Sequence, residues 1–337
     1  MISILRHDLS DVVYRLADDV ASLEVHRDGV SKHVALWIDE PSTRNRVSVA
    51  RACSDLNFKI LDSSPSSGLS IAKGESLQDT FMVLSRYTDL FAIRTRVVSL
   101  PLRIYAWTGL PVLNLGDGWN EHPSQALSTL IAMHQSDIAS DKATVAIYGD
   151  FDRSRTVRSV ALGVASLGGT VILVDPAFVN APRLASLPSE LGLPGSISVA
   201  ADISKVEADM LYVCRPQRER WNSSQASPPP LRVQEVARFK MVLHPLPRGE
   251  ELSTDAWEFI REQALNHVTR SYLTRRALLA ALMSGALASS DEERYQPNLP
   301  TNARCSADDC TFRDGCLATL RLASGTLCCS GCFAPCA

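Results

Sequence analysis

Up to about residue 285 the chain alternates short apolar runs with longer stretches of helical periodicity. The runs are "HVALWI" (33–38), "DLFAIR" (89–94), "LPVLNL" (110–115), "ATVAIYGD" (143–150), "GTVILVD" (169–175), "ADMLYVC" (208–214) and "FKMVLHP" (239–245). Between them, "RVSVARACSDL" (46–56) puts Val49, Ala52, Cys53 and Leu56 on one helical face. "SRTVRSVALGVASLGG" (154–169) repeats that pattern and stops on glycines. Strand–helix–strand alternation predicts parallel sheets with helices on both faces.

The polar segment "HQSDIASDKA" (134–143) divides the series in two. The expected organisation is α/β: two domains, 1–137 and 138–272, each a parallel β-sheet flanked by helices, plus a small cysteine-rich C-terminal appendage. A final helix through "TRRALLAALMSGAL", assigned to 273–288, is expected to pack back on the first domain. Residues 289–304, rich in Ser, Pro and charge, read as a linker before the appendage at 305–337.

Composition adds little to this picture until cysteine is counted. The 337 residues allow about two domains, and 45% hydrophobic with 21% charged residues is ordinary for a globular protein. A net charge of −3 gives no general attraction to nucleic acid or anionic membrane, and no apolar run reaches the length of a membrane span. The first residues break their apolar stretch with Arg6, His7 and Asp8, a poor signal peptide, so a cytoplasmic location is expected. Of nine cysteines, only Cys53 and Cys214 precede residue 305. A secreted disulfide protein does not normally load its bridges onto one short tail.

In open parallel sheets, ligands bind at the carboxyl ends of the strands, so polar residues just after the apolar runs are the ones to inspect. "PSTRNRVS" (41–48) opens a helix with Ser42, Thr43, Arg44, Asn45 and Arg46. A helix start exposes unpaired N–H groups and the positive end of the macrodipole, and these side chains add donors suited to phosphate. A plain helix cap would use the same residues. Arg94 ends another run, and "GDGWNEHPSQ" with His122 and Gln125 follows the next. Later come Arg155, then Arg215 and Gln217, then "HPLPR" (244–248). Singly, each arginine reads as a solvated loop charge. Together, arginines, glutamines and histidines recur at one edge of both sheets without a matching set of carboxylates, which suits a ligand with several negative charges. No glycine-rich nucleotide loop, nucleophile elbow or metal-ligand cluster appears before residue 300, so chemistry would proceed by positioning and charge stabilisation without a cofactor.

On these residues the sequence resembles the aspartate/ornithine carbamoyltransferase family. "STRNR" is similar to the family's carbamoyl-phosphate signature, and "KGESLQDT" (73–80), "GDGWNEHPSQAL" (116–127) and "HPLPR" follow in the family's order. The resemblance covers about residues 1–287, making 1–137 the carbamoyl-phosphate-binding and 138–272 the aspartate-binding domain. It implies transfer of the carbamoyl group of carbamoyl phosphate to the amine of L-aspartate, a step of pyrimidine biosynthesis. Ser42, Thr43, Arg44, Asn45 and Arg94 would grip the phosphate; Thr43, Arg44, Arg94 and His122 form the catalytic set, with Thr43, Arg94 and His122 polarising the carbonyl. Gln125 would hold the carbamoyl amine, and Arg155, Arg215, Gln217 and the backbone at Leu246 and Pro247 would hold aspartate. In the family a loop lysine and serine enter a neighbouring subunit's site; Lys73 and Ser70 match them, for both substrates and phosphate respectively, implying a homotrimer with shared sites, open to a larger assembly. "HPLP" rather than "HCLP" points to the aspartate branch, as do arginine forks for two carboxylates. Asn45 stands for a usual threonine, Thr95 for histidine, and Arg270-Ser271 for Asn-Gly; these departures bear on affinity and acceptor identity. Two other readings stand beside this one: a carbamoyltransferase for a different amino acceptor, and an inactive homologue acting as an assembly subunit.

The tail pairs Cys305 with Cys310 and Cys329 with Cys332 around a segment that suits a β-hairpin at Ser324-Gly325. Four such thiolates fit a structural tetrahedral zinc, and the arrangement resembles the zinc domain of the separate regulatory chain found with some aspartate carbamoyltransferases. Cys316, Cys328 and Cys336 are surplus, leaving a cysteine-rich extension or a disulfide-tied tail as the alternative.

Overall fold

Parallel strands need long crossovers, and the chain supplies a helix for most of them. The computed structural model describes residues 8–22, 31–65, 74–138, 141–151, 154–175, 181–218, 228–287, 295–296, 319–321 and 327–329. Two units emerge: Met1–Arg6, Asp18–Ser124 and Tyr272–Ala337 form the first, His7–Ala17 and Gln125–Ser271 the second. The sequence pattern places the divisions at 137/138 and 272/273.

After α1 (Leu9–Ala21), the first unit runs β1 (His33–Ile38), α2 (Thr43–Asp55), β2 (Lys59–Asp62), α3 (Leu77–Leu84), β3 (Leu90–Thr95), α4 (Leu100–Thr108) and β4 (Val112–Asp117). The sheet is parallel throughout, in the order β2-β1-β3-β4. Alternation along the strands sends Ala35 and Trp37 of β1, and Phe91 and Ile93 of β3, to the face covered by Phe81, Leu100 and Ile104. Phe81 anchors that layer, 4.8 Å from the Trp37 ring and edge-on to Phe91 at 5.6 Å.

The second unit contains α5 from Gln125 onward (the helix is Pro123–His134), β5 (Thr144–Tyr148), α6 (Arg155–Ser166), β6 (Thr170–Val174), α7 (Ala181–Leu191), β7 (Ser196–Ala200), β8 (Met210–Val213), α8 (Val233–Val236) and β9 (Met241–Leu243). Its strands are also parallel, ordered β7-β6-β5-β8-β9. Tyr148, Leu211, Val213 and Val242 share a core with Val236, Ala256 and Ile260.

Two differences from the sequence reading have clear causes. The last helix, α9, is a single span of 30 residues from Thr254 to Met283, not a segment beginning near 273. Its buried stripe continues through Ala256, Ile260, Ala264, His267, Ser271, Thr274 and Leu278, and the polar members hide the helical period. No glycine or proline falls between Thr254 and Met283 to interrupt it. The edge strands β2 and β7 were missed because they are polar and half-exposed. In the tail, β11 (Thr319–Arg321) pairs antiparallel with β12 (Leu327–Cys329), as the hairpin reading expected, and β10 (Tyr295–Gln296) joins β11. Cys305, Cys310, Cys332, Ser70 and Lys73 lie outside the described residues, and for Cys329 only the strand is described.

Gly149, at the end of β5, has φ +137°, and an added Cβ would fall 1.9 Å from the Cys214 carbonyl oxygen. The clash is with backbone and cannot be relieved by a rotamer change. Gly149→Ala should therefore destabilise the protein by about 2 kcal/mol or more in a denaturant titration.

Candidate active site

Each sheet reverses its strand order once. In the first unit the reversal lies between β1 and β3, where the crossover through α2 leads to β2 on one side and the next strand pairs on the other. In the second it lies between β5 and β8. A crevice opens at the carboxyl end of such a pair, and this is where ligands bind in open α/β sheets.

Ser42, Thr43 and Arg44 follow β1 at the first of these positions, and Arg94 is near the end of β3. Ser42 is the N-cap of α2, its hydroxyl accepting from the Asn45 N–H at 3.4 Å, while Thr43 and Arg44 are exposed. Cap and anion site are thus compatible: the cap uses one N–H, and the exposed side chains stand at the positive end of the helix. Asn45 behaves differently. It is buried, and its Nδ2 donates to the Leu115 carbonyl at 3.0 Å, tying the start of α2 to β4. Arg94 Nη1 donates to the same carbonyl at 3.2 Å, and its Nε lies 3.1 Å from Glu40. The expectation of arginines without carboxylates is corrected here: Glu40, just after β1, pairs with Arg94, a relation between two strand ends that only the folded sheet shows.

His122 reaches this unit's sheet edge through a rigid turn. Buried Asp117 accepts from the Ser99 and Glu121 N–H groups and from the Asn114 and Asn120 amides. Burial raises its pKa, although those four bonds pull the other way. His122 follows directly, itself buried, with Nδ1 3.4 Å from the Ser124 hydroxyl. Arg275 on α9 was not found from sequence. It is buried, and burial together with the nearby Arg44 charge lowers its pKa to about 10. Two guanidinium groups held close enough to repel are eased by an anion.

In the second unit Arg155 is the first residue of α6 and is buried behind the cap Ser154. Arg215 follows β8 with Nη1 donating to the Pro216 carbonyl at 3.0 Å, and the Gln217 N–H donates to Asp150 at 3.0 Å. Asp150 thereby ties the ends of β5 and β8. Burial pushes the Cys214 thiol up to about 11, so it remains a neutral packing group there. Gln125 turns its amide onto His267, with Nε2 2.9 Å from the ring Nε2.

The loop after β9 is held by a pair that sequence reasoning overlooked. The Leu246 N–H donates to His244 Nδ1 at 2.9 Å, so His244 carries its proton on Nε2 and donates it to Glu251 at 2.8 Å. Glu251 also accepts from the Gly249 N–H. Leu246 has φ +55° and precedes a cis Pro247. Its N–H bond to His244 fastens to the buried pair the backbone from which the aspartate contact was expected. The signal was present as His244 in "HPLPR", but its partner is seven residues on and appears only in the folded loop.

Parallel sheets with helices on their faces define an open α/β protein, and the arginines and helix starts at its order-reversal points are groups suited to a small polyanion. Residues 6–135 match the family model described as aspartate/ornithine carbamoyltransferase, carbamoyl-P binding domain. The aspartate carbamoyltransferase catalytic subunit of Chromobacterium violaceum is 31% identical over 267 residues, covering 75% of this chain and 86% of that protein. The chain belongs to the aspartate/ornithine carbamoyltransferase family. Its fold is similar to the catalytic subunit of M. jannaschii aspartate transcarbamoylase (TM-score 0.71, 24% identity, 82% of this chain and 95% of that one). It is equally similar to ornithine carbamoyltransferase from Pyrococcus furiosus (TM-score 0.71, 22% identity, 82% and 94%), so the fold does not choose the acceptor. No helix among the described residues is long and apolar enough to cross a membrane.

Burial raises the Glu251 carboxyl, but the hydrogen bonds it accepts from His244 and the Gly249 N–H outweigh it and hold it below its ordinary value of 4.5. A depressed carboxyl stabilises the fold above that value, and the contribution is lost as pH falls through the lower native one. Glu251→Gln should cost about 1–3 kcal/mol at pH 7. The gap to the parent protein, read by denaturant titration, should narrow progressively below pH 4.5.

Proposed function

We propose that the chain is an aspartate carbamoyltransferase, converting carbamoyl phosphate and L-aspartate to N-carbamoyl-L-aspartate and phosphate. The observation that carries this reading is that the arginines fall at the reversal points of both sheets: Arg44 and Arg94 at β1/β3, Arg155 and Arg215 at β5/β8. The second set supports the acceptor. Arginine forks match the two carboxylates of aspartate, whereas the ammonium of ornithine would meet like charge.

The phosphate is held by Ser42, Thr43, Arg44 and the start of α2, with Arg94 reaching it as the guanidinium exchanges Glu40 for the incoming anion. Thr43, Arg94 and His122 donate toward the carbonyl oxygen, and Gln125 holds the carbamoyl amine. The unprotonated aspartate amine attacks the carbamoyl carbon, the carbonyl electrons move onto oxygen, and the donors stabilise that oxyanion. Collapse breaks the bond from carbon to the phosphate oxygen; phosphate leaves with the electron pair and takes the proton released by the amine. Arg155, Arg215 and Gln217 fix aspartate, and the backbone at Leu246 and Pro247 receives it. Lys73 and Ser70 are assigned to a neighbouring subunit's site, which makes the trimer the smallest active unit. The product's use is pyrimidine biosynthesis, in the cytoplasm.

Initial rates with a panel of amino acids test the acceptor: aspartate should react fastest, and faster turnover of ornithine or another amine rejects the assignment. Arg94→Ala and His122→Ala should each lower kcat about 10²–10³-fold. Arg215→Ala should act mainly on the KM for aspartate, because its role is to bind a carboxylate.

For the tail, the proposal is a structural zinc on Cys305, Cys310, Cys329 and Cys332, apart from catalysis, which needs no cofactor. Purified full-length chain should contain one metal per chain by elemental analysis, and a chain ending before residue 300 should contain none. Equal metal in both, or in neither, removes the assignment.

A further inference from the structure

Gln125 and His267 meet in the interior of the second unit, the glutamine in the first turn of α5 and the histidine midway along α9. Gln125 Nε2 lies 2.9 Å from His267 Nε2, and the histidine is 1% exposed. A primary amide nitrogen donates and does not accept, so the ring nitrogen is the acceptor. The imidazole is therefore neutral, with its proton on Nδ1. Thr129 Oγ1 is 3.5 Å from the same ring nitrogen, but its hydroxyl donates to the Gln125 backbone carbonyl at 3.2 Å and does not compete. One turn further along both helices, Ser128 and Ser271 pair through their hydroxyls at 2.9 Å, holding the register that brings Gln125 to His267.

A glutamine amide has a donating and an accepting end, and with Gln125 and His267 both buried, turning the amide away from the ring gives up a buried hydrogen bond. With Nε2 committed to His267, the end offered to a ligand is Oε1. The carbamoyl NH2 can only donate. The pairing matches in this orientation and fails in the flipped one, which would oppose two NH2 groups.

We propose that His267 is a positioning residue for carbamoyl transfer, which sets the Gln125 amide so that its oxygen faces the carbamoyl amine. The proposal rests on the reading that Gln125 holds that amine, and the experiment separates the two. Steady-state kinetics are measured on the full chain with Gln125→Ala, His267→Leu, the double variant and His267→Gln. Gln125→Ala and His267→Leu should each lower kcat/KM for carbamoyl phosphate roughly ten-fold, the scale of one lost hydrogen bond, leaving the KM for aspartate nearly unchanged. The double variant should be no worse than Gln125→Ala, because residues acting through one contact are not additive. His267→Gln, which places an amide oxygen where Nε2 was, should restore most of the loss. If His267→Leu does not fold, His267→Asn takes its place, polar but too short to reach Gln125.

Equal losses from His267→Leu in the parent and in the Gln125→Ala background would make the histidine merely structural and overturn the proposal. So would a fully active His267→Leu beside an impaired Gln125→Ala. A fully active Gln125→Ala would instead remove the reading beneath it, and the proposal with it.

Discussion

Parallel pairing is the constraint from which the rest of this structure follows. Strands that run the same way cannot be joined by tight turns, so each must be followed by a crossover that returns the chain to the far end of the sheet. All carboxyl ends then lie along one edge, and the sheet's order must reverse somewhere if both sides of the first strand are to be filled. The polar residues after β1, β3, β5 and β8 gather where they do because the topology leaves them nowhere else. Their chemistry is then a matter of what each helix start and strand end presents.

What holds these groups in place is a set of buried acceptors. The Leu115 carbonyl accepts from both Asn45 and Arg94, so a single backbone group ties together the start of α2, the end of β3 and β4. Asp117 performs a similar task for the turn leading to His122, and Asp150 for the two strand ends beneath Arg215 and Gln217. The Leu115 carbonyl and Asp117 each collect several donors, and Asp150 takes the Gln217 N–H from the end of another strand. Losing one donor leaves the others in place, whereas losing the acceptor strands several at once.

The strands that pack on both faces were legible as apolar runs: β1 coincides with "HVALWI", and β3 to β6, β8 and β9 fall within a few residues of theirs. The site residues were also locatable, because a polar cluster after an apolar run is a local pattern. Pairing was not. Glu40 facing Arg94, Glu251 facing His244, His267 facing Gln125 and Arg275 beside Arg44 are relations between segments, set by which helix lies over which strand. The continuity of α9 was hidden for another reason: His267, Ser271 and Thr274 interrupt the apolar stripe midway along the helix, and polar residues there read as exposed until their partners are known.

Two of the four outermost strands of the large sheets, β2 and β7, carry a further meaning. β2 exposes Lys59 and Asp62, and β7 exposes Ser196 and Ser198. A sheet margin has unpaired backbone groups that invite an extra strand from another molecule, and charged or hydroxyl side chains there make the addition costly. The polarity that concealed these two strands therefore guards a protein rich in buried apolar strands against fibre-like stacking at high concentration.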